Sequence, residues 1–265
     1  MRNLLSKLEI ADFEFLFGII RGPVGLTSDR RLRGALKDFA DASDSTEERR
    51  ALCNVVEREI RYLGSSDVAY LFRKMTRRHG GPGVSFREIV TDVFRKLKLT
   101  CPPRICTDEE LLEHLVQAHT TSRMRKLPMG EQEALLEAAG MSAGDIANYL
   151  KSNSYRFGIP ALIHAAGIPA AQRIVTNVVV GTVGNYIGKQ VAKTMIGQLV
   201  TRFPLWGQWL GPIAWSVTGL WTFYDLQGPA IRKIVPITLF LGLCMLRDGG
   251  FETDDAEPVA ATARR

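Results

Sequence analysis

The run FPLWGQWLGPIAWSVTGLWTFY, residues 203–224, decides how this chain is to be read, because it holds 22 consecutive residues without a charge. As one helix it would reach about 33 Å, against an apolar bilayer core of about 30 Å. All four tryptophans, Trp206, Trp209, Trp215 and Trp221, lie in it, followed by Phe223 and Tyr224. Indole and phenol rings favour the headgroup boundary, where one edge of the ring meets water. Pro204, Gly207, Gly211, Pro212 and Gly219 argue against a straight span. Pro212 has no amide hydrogen, and its ring clashes with the preceding turn of a helix. The run therefore reads as a broken helix or a helical hairpin dipping into one leaflet. The other reading is a core hairpin buried between helices of a soluble bundle.

Further uncharged runs flank it: Phe157 to Gln172, Ile174 to Gly188, and the 13 residues from Ile234 to Leu246. Residues 151–247 carry 9 Lys+Arg and one acid, Asp225, whereas residues 1–150 carry 23 Lys+Arg and 22 Asp+Glu. The composition predicts three parts: a charged soluble helical bundle over 1–150, a hydrophobic basic helical module over 151–247, and a disordered polar tail over 248–265. A cationic apolar surface attracts anionic lipid, at about 1 kcal/mol per basic residue near the headgroups. Nucleic acid is the less fitting partner, since it calls for basic residues on a polar scaffold.

Three features of the chain stand out as candidate sites. Asn177, Gly181, Gly184, Gly188 and Ala192 recur three or four apart, which on one helix makes a small-residue stripe where a second helix backbone can approach. Asp225 precedes the turn Gly228-Pro229, with Arg232 and Lys233 just beyond it. A buried Asp225–Arg232 ion pair across that turn is the expected arrangement, and a protonation switch at Asp225 the sharper alternative. Arg73, Lys74, Arg77 and Arg78 form a basic edge on a helix, read first as a solvated face and then as a lipid-headgroup contact.

The first half reads as amphipathic helices over 3–20, 29–42, 46–63 and 66–78, then 86–99, 107–125 and 131–139, with another opening near Ser142. Ser85 with Glu88, and Thr107 with Glu110, are capping boxes: each hydroxyl takes one free amide of the first turn, and each carboxylate returns to the cap. No stretch alternates as a strand does, so the fold class is all-α: an N-terminal amphipathic bundle followed by an apolar, glycine-rich helical hairpin. Glu9, Asp12 and Glu14 interrupt the first apolar stretch, unlike a secretory signal. Four scattered cysteines suit a reducing compartment.

Catalytic and metal-binding patterns are not apparent. Cys101, Cys106, His114 and His119 do not have finger spacing, and the two histidines, five apart on a helix, diverge by about 140°. Gly80 to Gly83 lacks the Lys-Ser/Thr of a phosphate loop, and no His pairs with a nucleophile in sequence. No cofactor and no metal are expected.

Leu63, Gly64, Asp67, Val68 and Ala69, then Phe86 to Val90 and Val93, Lys96 to Leu99, resemble the bacterial YaaW-like proteins, the uncharacterised UPF0174 (DUF3944-type) family. In the second half Leu210 to Trp215, Thr218, Asp225, Gly228 to Ala230, Arg232 and Ile234 to Pro236 resemble that family's apolar hairpin. The likeness spans roughly residues 10–246 and departs near 100–106 and in the acidic tail. It implies a two-part helical protein and hands over no activity. A respiratory-complex chaperone label carried by some relatives matches no motif here.

Together these readings predict a non-enzymatic protein of the cytoplasm, peripheral or integral to the inner membrane. Its C-terminal module would insert in or lie on anionic lipid and could permeabilise it. The alternative is a soluble chaperone or assembly factor for a membrane-protein client. An enzyme would need a site gathering Asp225, His164 and Arg232. A homo-oligomer is compatible with all three.

Overall fold

The structure, a computed structural model, describes residues 1–21, 28–41, 45–64, 84–102, 106–152, 158–188, 197 and 229–249. Among these residues it is all-α, without a strand. The described helices are α1 (Arg2–Leu5), α2 (Ile10–Arg21), α3 (Ser28–Asp41), α4 (Thr46–Leu63), α5 (Phe86–Lys96), α6 (Asp108–Lys126), α7 (Met129–Ala138), α8 (Ala143–Ser152), α9 (Ile159–Ile187) and α10 (Pro229–Gly249).

Local chemistry sets most of the boundaries. Ser45 accepts from the Glu48 amide at the start of α4. Both capping boxes form, Ser85 with Glu88 on α5 and Thr107 with Glu110 on α6, each offsetting amides that a helix start leaves unpaired. Helix α5 stops at Lys96 rather than near 99, because Lys98 turns left-handed at φ 56°. The Leu99 amide then reaches back to the Phe94 carbonyl and the Lys98 amide to that of Arg95, the hydrogen bonds of a Schellman stop. The single helix expected over 3–20 is two helices. The chain breaks at residues 6–9, and the Asp12 carboxylate accepts the Glu9 amide to start α2 afresh.

Helix α10 occupies the middle of the fold. It packs against α2, α4, α5, α6 and α9. Ile234, Val235, Ile237, Leu239, Phe240, Leu241, Leu243, Cys244, Met245 and Leu246 are all buried, so the 13-residue uncharged run is apolar on every side because it is covered on every side. Phe240 stacks on Phe15 of α2, with ring centroids 4.2 Å apart. At Gly242 the backbones of α10 and α6 approach so closely that a Cβ there would lie 2.8 Å from the Leu112 carbonyl oxygen. The charged N-terminal helices and this apolar C-terminal helix thus share one core, which runs from Leu4 to Leu246.

A second cluster joins α7, α8 and the first half of α9 to the end of α6 through Met124, Leu135, Leu136, Tyr149, Leu162, Ala171 and Ile174. Helix α9 is kinked where Gly167 takes φ 77° just before Pro169, whose ring cannot follow a regular turn. It ends at Ile187; Gly188 follows with φ 95°.

Candidate functional site

Polar groups are rare inside this core, and two of the places that hold them join helices distant in sequence. One is the end of α10. Arg247 meets Asp12 of α2 through two hydrogen bonds of 3.0 and 2.9 Å, both side chains buried, at 4% and 0% exposure. Asp248 takes the remaining guanidinium edge at 2.6 and 3.1 Å. Burial opposes the Arg247 charge, but the hydrogen bonds to Asp248 and Asp12 prevail and hold its pKa above the ordinary arginine value. Cys244, one turn earlier, is pushed well above the usual thiol range by burial and then by the Asp12 charge, so it is a packed thiol and not a nucleophile. At the opposite end of α10, Lys233 donates to the Ile20 carbonyl at 2.6 Å. The two anchors hold α10 antiparallel to α2.

The other place is where α6 meets α9. His119, 4% exposed, lies 2.8 Å from the Thr182 hydroxyl through Nε2. That hydroxyl donates its own hydrogen to the Val178 carbonyl at 2.9 Å. Thr182 must therefore accept, and His119 carries its proton on Nε2. An imidazole that donates to a hydroxyl cannot also deprotonate it, so this pair does not make an activated nucleophile. Burial, reinforced by the positive charges of Arg123 and Lys126, lowers the His119 pKa to about 3. Nearby in sequence on the same two helices, Thr120 Oγ1, Thr176 Oγ1 and Asn177 Oδ1 are buried without a hydrogen-bond partner.

Of the residues singled out in the sequence, Gly181 and Gly184 are buried in α9, while Gly188 stands past its last turn in open space. The small-residue stripe thus extends on the helix from Asn177 to Gly184 and not to Gly188. Ala192, Trp206, Trp209, Gly211, Pro212, Trp215, Trp221 and Asp225, and the basic patch Arg73, Lys74, Arg77 and Arg78, lie outside the described residues. Arg232 is exposed at the start of α10, and His164 is exposed on α9. His114 is exposed and His119 buried, on diverging faces as their spacing predicts. Among the described residues no group of His, Cys, Asp and Glu could hold a metal ion, and no helix is long and apolar enough to cross a membrane.

The sequence reading missed the Asp12–Arg247 pair, although both residues carried a signal. Asp12 is an acid inside an apolar stretch, and Arg247 is the first charge after the uncharged run. What sequence could not supply is that two charges 235 positions apart are neighbours.

Fold and site together define an all-helical protein whose polar core groups act as fastenings between helices. No protein-family model matches the chain, and no solved structure does. The chain is similar to a UPF0174 protein of Helicobacter pylori (strain J99), 24% identical over 253 residues that cover 92% of this chain and 90% of the relative. That likeness, running through nearly the whole of both chains, supports assignment to the uncharacterised UPF0174 family as a distant relative.

Proposed function

We propose that the protein is a non-enzymatic, peripheral membrane-surface protein. A helical bundle carries the tryptophan-bearing run 203–224 to the headgroup region of an anionic bilayer. The observation that favours this reading is the use made of α10. The run Ile234–Leu246 is consumed by the bundle core, so α10 serves as a stem anchored by Asp12 and Ile20, and not as a membrane element. The tryptophan run lies in the chain between this stem and α9, which packs against it. Its seven aromatic residues suit the bilayer boundary. The basic residues over 151–247 other than the buried Arg247 and the tied Lys233, with one acid among them, supply the attraction to anionic lipid.

Co-sedimentation of the full chain with phosphatidylglycerol vesicles, and separately with phosphatidylcholine vesicles, tests the proposal. Binding is expected on the anionic vesicles only. It should weaken as salt rises, be removed by a carbonate wash, and be lost when Trp206, Trp209, Trp215 and Trp221 are changed together to Ala in a variant that remains folded. A monodisperse protein that ignores both vesicle types would overturn the proposal. It would turn attention to the alternative of a soluble chaperone holding an apolar helix of a client.

A further inference from the structure

The polar joint between α6 and α9 has a property that the bilayer reading does not use. His119 is a titratable ring held inside an apolar core by one hydrogen bond. The Thr182–Val178 hydrogen bond leaves the ring a single role, donation from Nε2. A second proton would have to sit on Nδ1 and would place a full positive charge in the core. The charges that act on that point are Arg123 and Lys126, one and two turns along α6, and both are positive.

The helices packed on α6 have their titratable groups engaged elsewhere. On α9, His164 is exposed and Arg173 donates to the Ala139 carbonyl, while the neutral phenol Tyr186 stands one turn beyond Thr182. On α10, Arg232 is exposed, Lys233 is tied to Ile20, and Cys244, Arg247 and Asp248 gather at Asp12. On α5, Glu88 closes its own capping box, Arg87 reaches Cys106, Asp92 pairs with Arg95, and Lys96 lies in the last turn. Among the described residues none of these offers His119 a counter-charge, and a charge without a partner in a core is strongly destabilising.

We propose that the α6–α9 joint is an acid-operated release, in which uptake of a proton by His119 separates α9 from α6 and bares the apolar surface the two helices bury between them. Both helices give apolar side chains to the shared core, among them Leu115 of α6 and Val175, Val179 and Val183 of α9. The closed joint accepts the proton only near pH 3, whereas an opened, solvated ring accepts it near the ordinary value of about 6.5. Between those limits each unit of acidification favours the opened joint by about tenfold. The release rests on the bilayer reading only for its consequence, since it would add apolar surface to a protein already gathered at an anionic membrane.

The test is hydrogen exchange of the full chain between pH 7 and pH 4, corrected for the intrinsic pH dependence of exchange. The amides of α6 and α9 around residues 116–123 and 178–186 are expected to lose protection by about tenfold per pH unit below about 6, and at each pH to be less protected than those of α4, whose exchange requires global unfolding. His119→Gln retains a nitrogen donor for Thr182 and cannot take up the proton, so its protection should be flat with pH. An equal slope in that variant overturns the proposal. Should His119→Gln not fold, the unaltered protein still decides, because protection in α6 and α9 equal to that in α4 at every pH, or not lost at all on acidification, overturns it as well. Vesicle binding is read separately. Release without binding at any pH removes the bilayer reading and leaves the joint standing. Binding that is strong at pH 7, with no local loss of protection on acidification, removes the joint and leaves the bilayer reading.

Discussion

Removing the charge of Asp12 should be among the most damaging single changes available in this protein. Asp12→Asn keeps an oxygen that can accept the Glu9 amide but leaves Arg247 without the fully buried one of its two counter-charges. Stranding one partner of a buried pair costs about 3–5 kcal/mol. Asp248 continues to hold one edge of the guanidinium and is itself only 30% exposed, which places the expected loss near the lower limit, about 3 kcal/mol. Asp12→Ala also removes the acceptor that starts α2, adding about 1 kcal/mol. Arg247→Met leaves the Asp12 carboxylate in the core and should cost about 3–5 kcal/mol. The double variant Asp12→Asn/Arg247→Met strands neither charge. It should be more stable than the two single losses combined by at least about 2 kcal/mol. Urea unfolding followed by circular dichroism, with slopes compared between variants, measures each value. Single losses below about 1 kcal/mol that simply add would refute the reasoning, because they would mean that the pair is solvated and not a fastening of α10 to α2.

Other changes probe packing, stops and pH. Gly242→Ala puts a methyl 2.6 Å from Val116 Cγ2 and 2.8 Å from the Leu112 oxygen, so a loss of about 1–3 kcal/mol in the same unfolding assay is expected. Gly34→Ala, in α3 with nothing within 4 Å, should instead gain about 1 kcal/mol. Lys98→Gly relieves the left-handed stop of α5 and should raise stability by about 1 kcal/mol, measured as a shift of the urea midpoint. Phe240→Ala removes the ring stacked on Phe15 and should cost about 3–5 kcal/mol. Because the His119 pKa is lower folded (about 3) than unfolded (about 6.5), the unfolded chain binds more protons between those values. The contribution is therefore complete above pH 6.5 and falls by about 1.4 kcal/mol per unit as pH drops towards 3; unfolding free energies measured at pH 7, 6 and 5 should differ from those of His119→Gln by that slope.

What the sequence determined by itself is local. The Ser85–Glu88 and Thr107–Glu110 boxes, the Ser45 cap and the turn at Gly64 depend on residues within one or two helical turns, so they are legible from spacing alone. The all-α class and the divergence of His114 from His119 follow from the same short-range periodicity. Tertiary structure decided the rest. An uncharged run such as Ile234–Leu246 satisfies its surroundings equally well in lipid or among five helices, because lipid tails and packed side chains are both apolar; only the packing shows that here the surroundings are α2, α4, α5, α6 and α9. The break in the first amphipathic stretch depends on Asp12, whose carboxylate is held by an arginine 235 positions away. Which of two histidines is buried likewise depends on the helix that arrives to cover it. Periodicity tells a chain which faces to bury, whereas the partner that buries each face is settled only when distant segments compete for it.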